Sequence, residues 1–163
     1  MWKKPFLLFA ALVYVCESAV KPWPEPAPKR FIGSYKYFPD AGYYKFYRFK
    51  LPWGEAWTVC NDDNAHLVVI NDEKELEAMK ALLIESQVKD WSHFGVHDLF
   101  VNTHYITVDN KQFHPSSYNK WGPKEPSNKG SENCVSIHPN GLLRDNPCSV
   151  AQPFICEYEV QLQ

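Results

Sequence analysis

The chain contains 163 residues, of which 45% are hydrophobic and 22% are charged, and its formal net charge is −2. This length suits one domain with a single hydrophobic core. The slightly acidic balance argues against nucleic acid as a partner, because nucleic-acid-binding domains carry a basic patch. The longest apolar run, residues 6–16, has 11 residues, whereas a membrane-spanning helix needs about 20. We therefore expect neither a membrane span nor nucleic-acid binding.

The amino terminus has the layout of a secretory signal peptide. Two lysines precede the apolar run, and the small residues Ser18 and Ala19 follow it. Cleavage after Ser18 places Cys16 and Ser18 at the small-residue positions, whereas cleavage after Ala19 places Glu17 there. We therefore expect residues 1–18 to be removed and the remaining chain, with 15 basic and 18 acidic residues, to be extracellular.

Removal of Cys16 with that segment leaves four cysteines: Cys60, Cys134, Cys148 and Cys156. An even number of cysteines in an oxidising compartment predicts disulfides rather than free thiols. The spacing contains no Cys-x-x-Cys pair, which argues against a zinc site. Four cysteines allow three pairings, and the spacing alone does not choose among them.

A proline-rich spacer is predicted over residues 19–34, where every second residue from Pro22 to Pro28 is proline. This pattern favours an extended, solvated backbone. The folded part is expected to begin near Tyr35. Residues 43–49 are rich in aromatic strand formers and predict a β-strand.

Two helices are predicted after this strand. Pro52 suits the first turn of a helix. The apolar face of this first helix is predicted from three- and four-residue steps to comprise Trp53, Ala56, Trp57 and Cys60. Residues 66–70 predict a short buried strand, and Asp72 with Glu75 resembles a capping box that starts a second helix. The apolar face of the second helix is predicted to comprise Leu76, Met79, Leu83 and Ile84. Beyond Lys89, short strand-like pieces alternate with loops, so the overall layout is α+β.

Six motifs in order along the chain resemble those of the C-type lectin domain family. They are Trp53-Gly54-Glu55-Ala56, Phe94-Gly95-Val96-His97-Asp98, residues 121–127, Glu132-Asn133-Cys134, residues 145–149 and Phe154-Ile155-Cys156-Glu157. In its details the chain is similar to insect haemolymph lipopolysaccharide-binding lectins. The resemblance covers residues 35–158, which leaves residues 159–163 as a tail. It implies a C-type lectin-like fold, with two helices packed on antiparallel strands and a long loop region.

The resemblance also implies which cysteines pair. Cys60 is expected to pair with Cys156, which ties the first helix to the last strand. Cys134 is expected to pair with Cys148, which closes the region of the binding loop.

The resemblance further implies a calcium-dependent sugar site. Calcium takes about six to eight oxygen ligands, and Glu125, Ser127, Glu132 and Asp145 stand at the ligand positions of the family. Pro126 is expected to be cis, as in the family. The side chains expected to contact carbohydrate are Glu125, Ser127, Asn128, Glu132, Arg144 and Asp145.

Two substitutions weaken the implied calcium site. Ser127 stands where the family has an amide, and Arg144 replaces a ligand amide with a guanidinium that repels cations and has no lone pair to offer. Three outcomes are open for Arg144. It turns to solvent and leaves a weakened calcium site, it pairs with Glu125 or Glu132 in place of the ion, or Asn128 shifts into the role of the missing amide.

Catalysis is not expected, because the chain has no nucleophile elbow, phosphate loop or zincin motif. The resemblance implies a secreted carbohydrate-binding lectin of innate immunity that recognises microbial glycans or lipopolysaccharide, with its calcium dependence open. The alternative is a calcium-independent lectin-like domain that binds a protein partner, as a secretion or venom component. The fold can host either function.

Overall fold

The structure is a computed structural model that describes residues 34–113, 118 and 120–159. The predicted signal peptide, the spacer up to residue 33 and the tail from residue 160 lie outside the described residues. No described helix is long and apolar enough to cross a membrane. The elements in chain order are β1 (Lys36–Phe38), β2 (Gly42–Leu51), α1 (Trp53–Asp62), β3 (His66–Leu67), α2 (Glu73–Glu85), β4 (Ser92–His97), β5 (Ile106–Thr107), β6 (Cys134–Ile137), β7 (Leu143–Asn146) and β8 (Gln152–Tyr158).

The first predicted helix is confirmed as α1. Trp53, Ala56 and Cys60 are buried, and the Trp53 indole donates a hydrogen bond to the backbone oxygen of Phe94 at 2.9 Å. The prediction that Trp57 shares this face is wrong, because 41% of Trp57 is exposed. At 3.6 residues per turn, Trp57 lies about 40° around the helix from Trp53, on the side away from Ala56 and Cys60.

The second predicted helix is confirmed as α2, with Asp72 as its N-cap. The Asp72 carboxylate accepts hydrogen bonds from the backbone amides of residues 74 and 75. The Glu75 carboxylate accepts from the amide of Asn71, so the reciprocal half of the capping box is shifted by one residue. The helix buries Leu76, Met79 and Leu83 as predicted. Ile84 was wrongly placed on this face, because 67% of it is exposed.

The strands form one sheet in the order β1-β2-β8-β4-β6-β7, with β3 also paired to β8 and β5 to β4. All of these pairings are antiparallel except that of β4 with β8, which is parallel. This α+β arrangement agrees with the predicted fold class. The strand β8 therefore has neighbours on both sides, and it carries Cys156.

The two implied disulfides are present. Cys60 of α1 is bonded to Cys156 of β8, and Cys134 of β6 is bonded to Cys148, which follows β7. The first bond ties a helix to the centre of the sheet. The second joins two residues that are 14 apart in sequence. It links the first residue of β6 to the segment just after β7 and so closes the open end of the β6–β7 hairpin.

The strand predicted over residues 66–70 is shorter than expected, since β3 ends at Leu67. Val68, the next residue, still forms hydrogen bonds with the strands on both sides. Its amide donates to the oxygen of Ile155 in β8 at 3.0 Å, and its oxygen accepts from the amide of Gly95 in β4 at 2.8 Å. A Cβ atom on Gly95 would lie 2.4 Å from the backbone oxygen of Leu67. Glycine is therefore required where β4 passes this segment.

Two clusters of buried side chains make up the core. The larger cluster includes Phe94, Ile137 and Leu143 of the sheet together with the apolar face of α2. The smaller cluster surrounds Trp53 and Cys60 of α1. Leu143 is fully buried, and it anchors the strand β7 that carries the next two residues of the candidate site.

Candidate functional site

The candidate site lies on the loop between β5 and β6, where that loop runs beside β7. The Gly122 amide donates to the oxygen of Leu143 at 2.8 Å, and the Leu143 amide donates to the oxygen of Lys120 at 2.9 Å. These bonds attach the start of the loop to the strand. The peptide bond between Glu125 and Pro126 is cis, as the sequence predicted.

Asp145 organises the loop. Only 3% of its surface is exposed, and its two carboxylate oxygens accept from the backbone amides of Ser127 at 2.8 Å and Asn128 at 2.6 Å. The Tyr105 hydroxyl lies 3.3 Å from Asp145 Oδ2 and donates to Asn128 Oδ1 at 3.0 Å. Hydrogen bonds to a carboxylate are stronger than bonds between neutral groups. The Asp145 carboxylate therefore fixes the backbone of residues 127 and 128.

Glu132 makes a second set of bonds from the other end of the loop. Its Oε2 atom accepts from the Ser127 hydroxyl at 2.6 Å and from the backbone amide of Lys129 at 2.8 Å. The Ser127 amide also lies within 3.2 Å of Glu125 Oε2. The structure thus brings together Glu125, Ser127, Asn128, Glu132 and Asp145, five of the six residues that the sequence proposed for carbohydrate contact.

Two of these carboxyl groups affect each other's ionisation, and one of them takes up a proton near neutral pH. Burial raises the pKa of Glu125 to about 7, and the neighbouring Asp145 carboxylate adds to the shift because adjacent carboxylates resist ionising together. Burial also acts to raise the pKa of Asp145. Hydrogen bonds from Glu125 and from the amides of Ser127 and Asn128 outweigh burial and hold the pKa of Asp145 below its ordinary value. Glu125 therefore carries the proton of this pair.

Arg144 is the sixth predicted residue, and among the described residues it makes no hydrogen bond with the other five, although the charges of Glu125 and Glu132 lie near enough to oppose the lowering of its pKa by burial. Successive side chains of a strand point to opposite faces, so Arg144 leaves β7 on the side opposite Asp145. Its guanidinium carbon lies 4.3 Å from the centre of the Trp91 ring. Within the described residues it makes no ion pair with Glu125 or Glu132. This stacked position differs from the first two outcomes that the sequence left open for Arg144, and the third, in which Asn128 takes the role of the missing amide, stays a prediction.

The loop as described does not fit a calcium ion. Both oxygens of Asp145 already accept backbone amides, and Glu132 Oε2 accepts two hydrogen bonds. The arginine at position 144 replaces an amide ligand with a cation. Among the described residues no group of three or more His, Cys, Asp or Glu side chains could hold a metal ion. The expected ligand set of Glu125, Ser127, Glu132 and Asp145 is thus engaged in bonds within the loop.

Sequence reasoning missed Tyr105 and Trp91. Tyr105 is 9% exposed, and its hydroxyl bridges Asn128 and Asp145 from a segment 23 residues before Asn128 in sequence. No local pattern connects residues so far apart. Trp91, directly before β4, carried one usable signal, because a tryptophan beside a polar stretch often lies at a surface where one end is apolar and the other is wet.

The fold and this loop define a binding domain built on a disulfide-linked α+β scaffold. The Lectin C-type domain family matches residues 49–158. The chain is 35% identical over 156 residues to the "Hemolymph lipopolysaccharide-binding protein" of Periplaneta americana, covering 91% of this chain and 60% of the relative's length. The chain therefore belongs to the C-type lectin domain family, whose members are non-enzymatic binding domains.

Solved structures agree with this assignment. The carbohydrate-recognition domain of the mouse scavenger receptor C-type lectin is 26% identical, with a TM-score of 0.67, over 77% of this chain and 96% of that domain. A calcium-independent type II antifreeze protein shares the fold with a TM-score of 0.65 at 19% identity, over 76% of this chain and 90% of that one. The second likeness concerns the fold alone.

Proposed function

We propose that this chain is a secreted lectin that binds glycans of microbial surfaces, lipopolysaccharide included, and serves in pattern recognition. The observation that carries the proposal is the convergence of Glu125, Ser127, Asn128, Glu132 and Asp145 on one ordered loop. The name of the cockroach relative supports lipopolysaccharide as a ligand class, although this chain spans only 60% of that relative's length. The signal-peptide pattern at residues 1–18 supports secretion.

The loop offers a hydrogen-bond acceptor and a hydrogen-bond donor, which a pair of sugar hydroxyls needs. Both hydrogen bonds shown at Glu132 go to Oε2, so the second oxygen of this carboxylate is left to accept a hydroxyl proton. Asn128 accepts the Tyr105 proton at Oδ1, which leaves its NH₂ group to donate to a hydroxyl oxygen. Asp145 and Ser127 support Glu132 and Asn128 through hydrogen bonds that hold the loop in place.

We propose that this recognition requires no calcium. The bonds from Asp145 and Glu132 to backbone amides close the loop without an ion, and Arg144 removes an amide ligand of the family. Glycan binding is therefore expected to persist in a calcium chelator. In Arg144→Asn the family's amide is restored, and we expect its glycan binding to become sensitive to chelation.

A glycan array and lipopolysaccharide-coated plates test the proposal, each with calcium and with chelator. Glu132→Gln is expected to weaken binding about tenfold or more, because a neutral amide forms weaker bonds to hydroxyls than a carboxylate does. Glu55→Gln, on the exposed side of α1, is the matched control and should bind as the parent does. Binding that vanishes in chelator would refute the calcium-free site. Equal binding by parent and Glu132→Gln would refute the loop as the site.

A second candidate function, binding of a protein partner, is favoured by three consecutive exposed apolar residues after β4. Leu99, Phe100 and Val101 are 49%, 78% and 61% exposed. Exposed apolar patches mark interaction sites more often than isolated exposed residues do. If this tip is the functional surface, Phe100→Ser abolishes capture of a partner protein while leaving the glycan array unchanged. The reverse result supports the glycan-binding loop.

A further inference from the structure

A pocket of about 300 Å³ is lined by residues of β2, by the segment between α2 and β4, by Arg144 of β7 and by residues at the start of β8. Four basic side chains line it, Arg48, Lys50, Lys89 and Arg144, together with a single acidic one, Asp90. The whole chain has a net charge of −2, so this concentration of positive charge is local. A concave site lined by one sign of charge attracts ligands of the opposite sign.

Arg144 reaches this pocket as a preorganised donor. Its guanidinium stacks on the Trp91 ring, which restricts the side chain. The Arg144 Nε atom is buried and has no hydrogen-bond partner among the described residues. Because Arg144 also lines the pocket, its positive charge is held beside the cavity, where an anion can approach it.

The other cations are placed to receive the same ligand. Arg48 donates from Nη2 to the backbone oxygen of Ser86 at 2.8 Å, which holds this side chain at the pocket while its other donors remain. Lys50 and Lys89 are exposed and form no ion pair with described residues. Both ammonium groups can therefore turn toward an anion without breaking an existing pair.

We infer that this pocket binds the anionic group of an acidic saccharide, a phosphate monoester or a uronate carboxylate attached to a sugar ring. Guanidinium and ammonium groups together recognise phosphate and carboxylate oxygens. Trp91, Phe46 and Pro153 supply apolar lining beside the cations, which suits the ring of a sugar. Trp91 also borders a second pocket that contains Glu125 and His138, so a longer saccharide can extend from the basic pocket toward the acidic loop. The basic pocket goes beyond the proposed glycan site and is tested separately.

Titration calorimetry of the purified protein tests the inference with three probes: glucose 6-phosphate, glucuronate and glucose. We expect binding to fall in that order, because a phosphate dianion offers more charge and more acceptor oxygens than a carboxylate, and glucose offers no anion. Raising the salt concentration from 0.01 to 0.15 M should weaken the binding of glucose 6-phosphate, since the screening length falls from about 30 to about 8 Å.

Two variants locate the anion. Arg144→Gln and the double variant Lys50→Gln/Lys89→Gln should each lower the affinity for glucose 6-phosphate about tenfold or more. The two lysines are exposed, so the double variant keeps the test valid even if Arg144→Gln disturbs the packing of Trp91. Lys111→Gln removes a positive charge outside both pockets and should leave the affinity unchanged.

The result is separable from that of the acidic loop. Glu132→Gln is expected to lose neutral glycans while still binding glucose 6-phosphate. Equal affinities for glucose and glucose 6-phosphate would overturn the inference. So would sugar-phosphate binding that survives both pocket variants.

Discussion

Glu157 makes the stability of this protein depend on pH, and Glu157→Gln should remove the contribution of this residue. The side chain is 4% exposed on β8, where Oε1 accepts from the Tyr44 hydroxyl and Oε2 from the Val69 amide, both at 3.2 Å. Burial, followed by the nearby charge of Glu75, raises the pKa of Glu157 from 4.5 to about 8, and Glu159 adds to the shift. Glutamine has nearly the same shape and does not titrate.

The sign and size of the effect follow from proton linkage. Between pH 4.5 and about 8 the folded chain keeps the Glu157 proton, whereas the unfolded chain releases it. The unfolded state therefore binds fewer protons, and the free energy of unfolding falls as pH rises. The limiting slope for one proton is about 1.4 kcal/mol per pH unit. From pH 5.5 to 7.5 Glu157 should thus cost the parent about 2–3 kcal/mol that Glu157→Gln does not lose.

Urea unfolding followed by tryptophan fluorescence at several pH values measures this difference, with both disulfides intact. Glu125 and Glu75, whose pKa values are also raised, are present in both proteins, so subtracting the two curves leaves the contribution of Glu157 together with its coupling to Glu75. In the variant, the glutamine NH₂ can donate to the Tyr44 oxygen, because the Tyr44 hydroxyl has the backbone oxygen of Ala41 as a second acceptor at 3.1 Å. Parallel stability curves for parent and variant across pH 5.5–7.5 would refute the protonated state of Glu157.

Three further changes have predictable costs in urea unfolding. Gly95→Ala should destabilise the fold by about 2–3 kcal/mol, because its Cβ would meet the oxygen of Leu67 at 2.4 Å. Cys134→Ala/Cys148→Ala should cost about 3 kcal/mol, the loop-closure entropy of a 14-residue separation. Asp145→Ala leaves the Asn128 amide without an acceptor and the Ser127 amide with only the longer bond to Glu125, so about 2 kcal/mol should be lost, and hydrogen exchange at those amides should accelerate.

Two of these changes have an internal comparison. A Cβ on Gly54 would have no atom within 4 Å, so Gly54→Ala in helix α1 should be neutral or stabilising by up to about 1 kcal/mol. A comparable loss in both alanine variants would contradict the close-approach argument for Gly95. If hydrogen exchange in Asp145→Ala rises no faster at residues 127 and 128 than at the amides of β2, Asp145 does not hold the loop.

Periodicity and capping predicted the elements of the fold well. Both helices and the strand that became β2 lie where their patterns place them, because apolar steps of three and four residues and an Asp N-cap are local signals. The errors fall at the margins of helix faces. Trp57 and Ile84 are apolar and near the correct face, yet both remain exposed, because burial depends on which part of a helix the rest of the fold covers and not on the local sequence alone.

The site was less predictable than the fold. Family resemblance indicated the positions of the acidic loop residues, and the structure brings five of them together. The direction of Arg144 depended on Trp91, which lies 53 residues earlier in the chain and contacts it only after the sheet forms. Tyr105 likewise reaches Asp145 from a distant segment. Contacts between residues so far apart in sequence produce no periodic pattern that the sequence could reveal.

The alternation of side chains along β7 explains how one substitution can change two surfaces of this fold. Asp145 and Arg144 are adjacent in sequence, so they point to opposite faces of the strand. Asp145 closes the acidic loop with backbone amides, while Arg144 adds its charge to the basic pocket beside Trp91. An amide at position 144 would remove a positive charge near Glu125 and Glu132 and deprive the pocket of one of its cations. The arginine that stands in place of an amide ligand of the family therefore supplies the pocket with a hydrogen-bond donor for an anion.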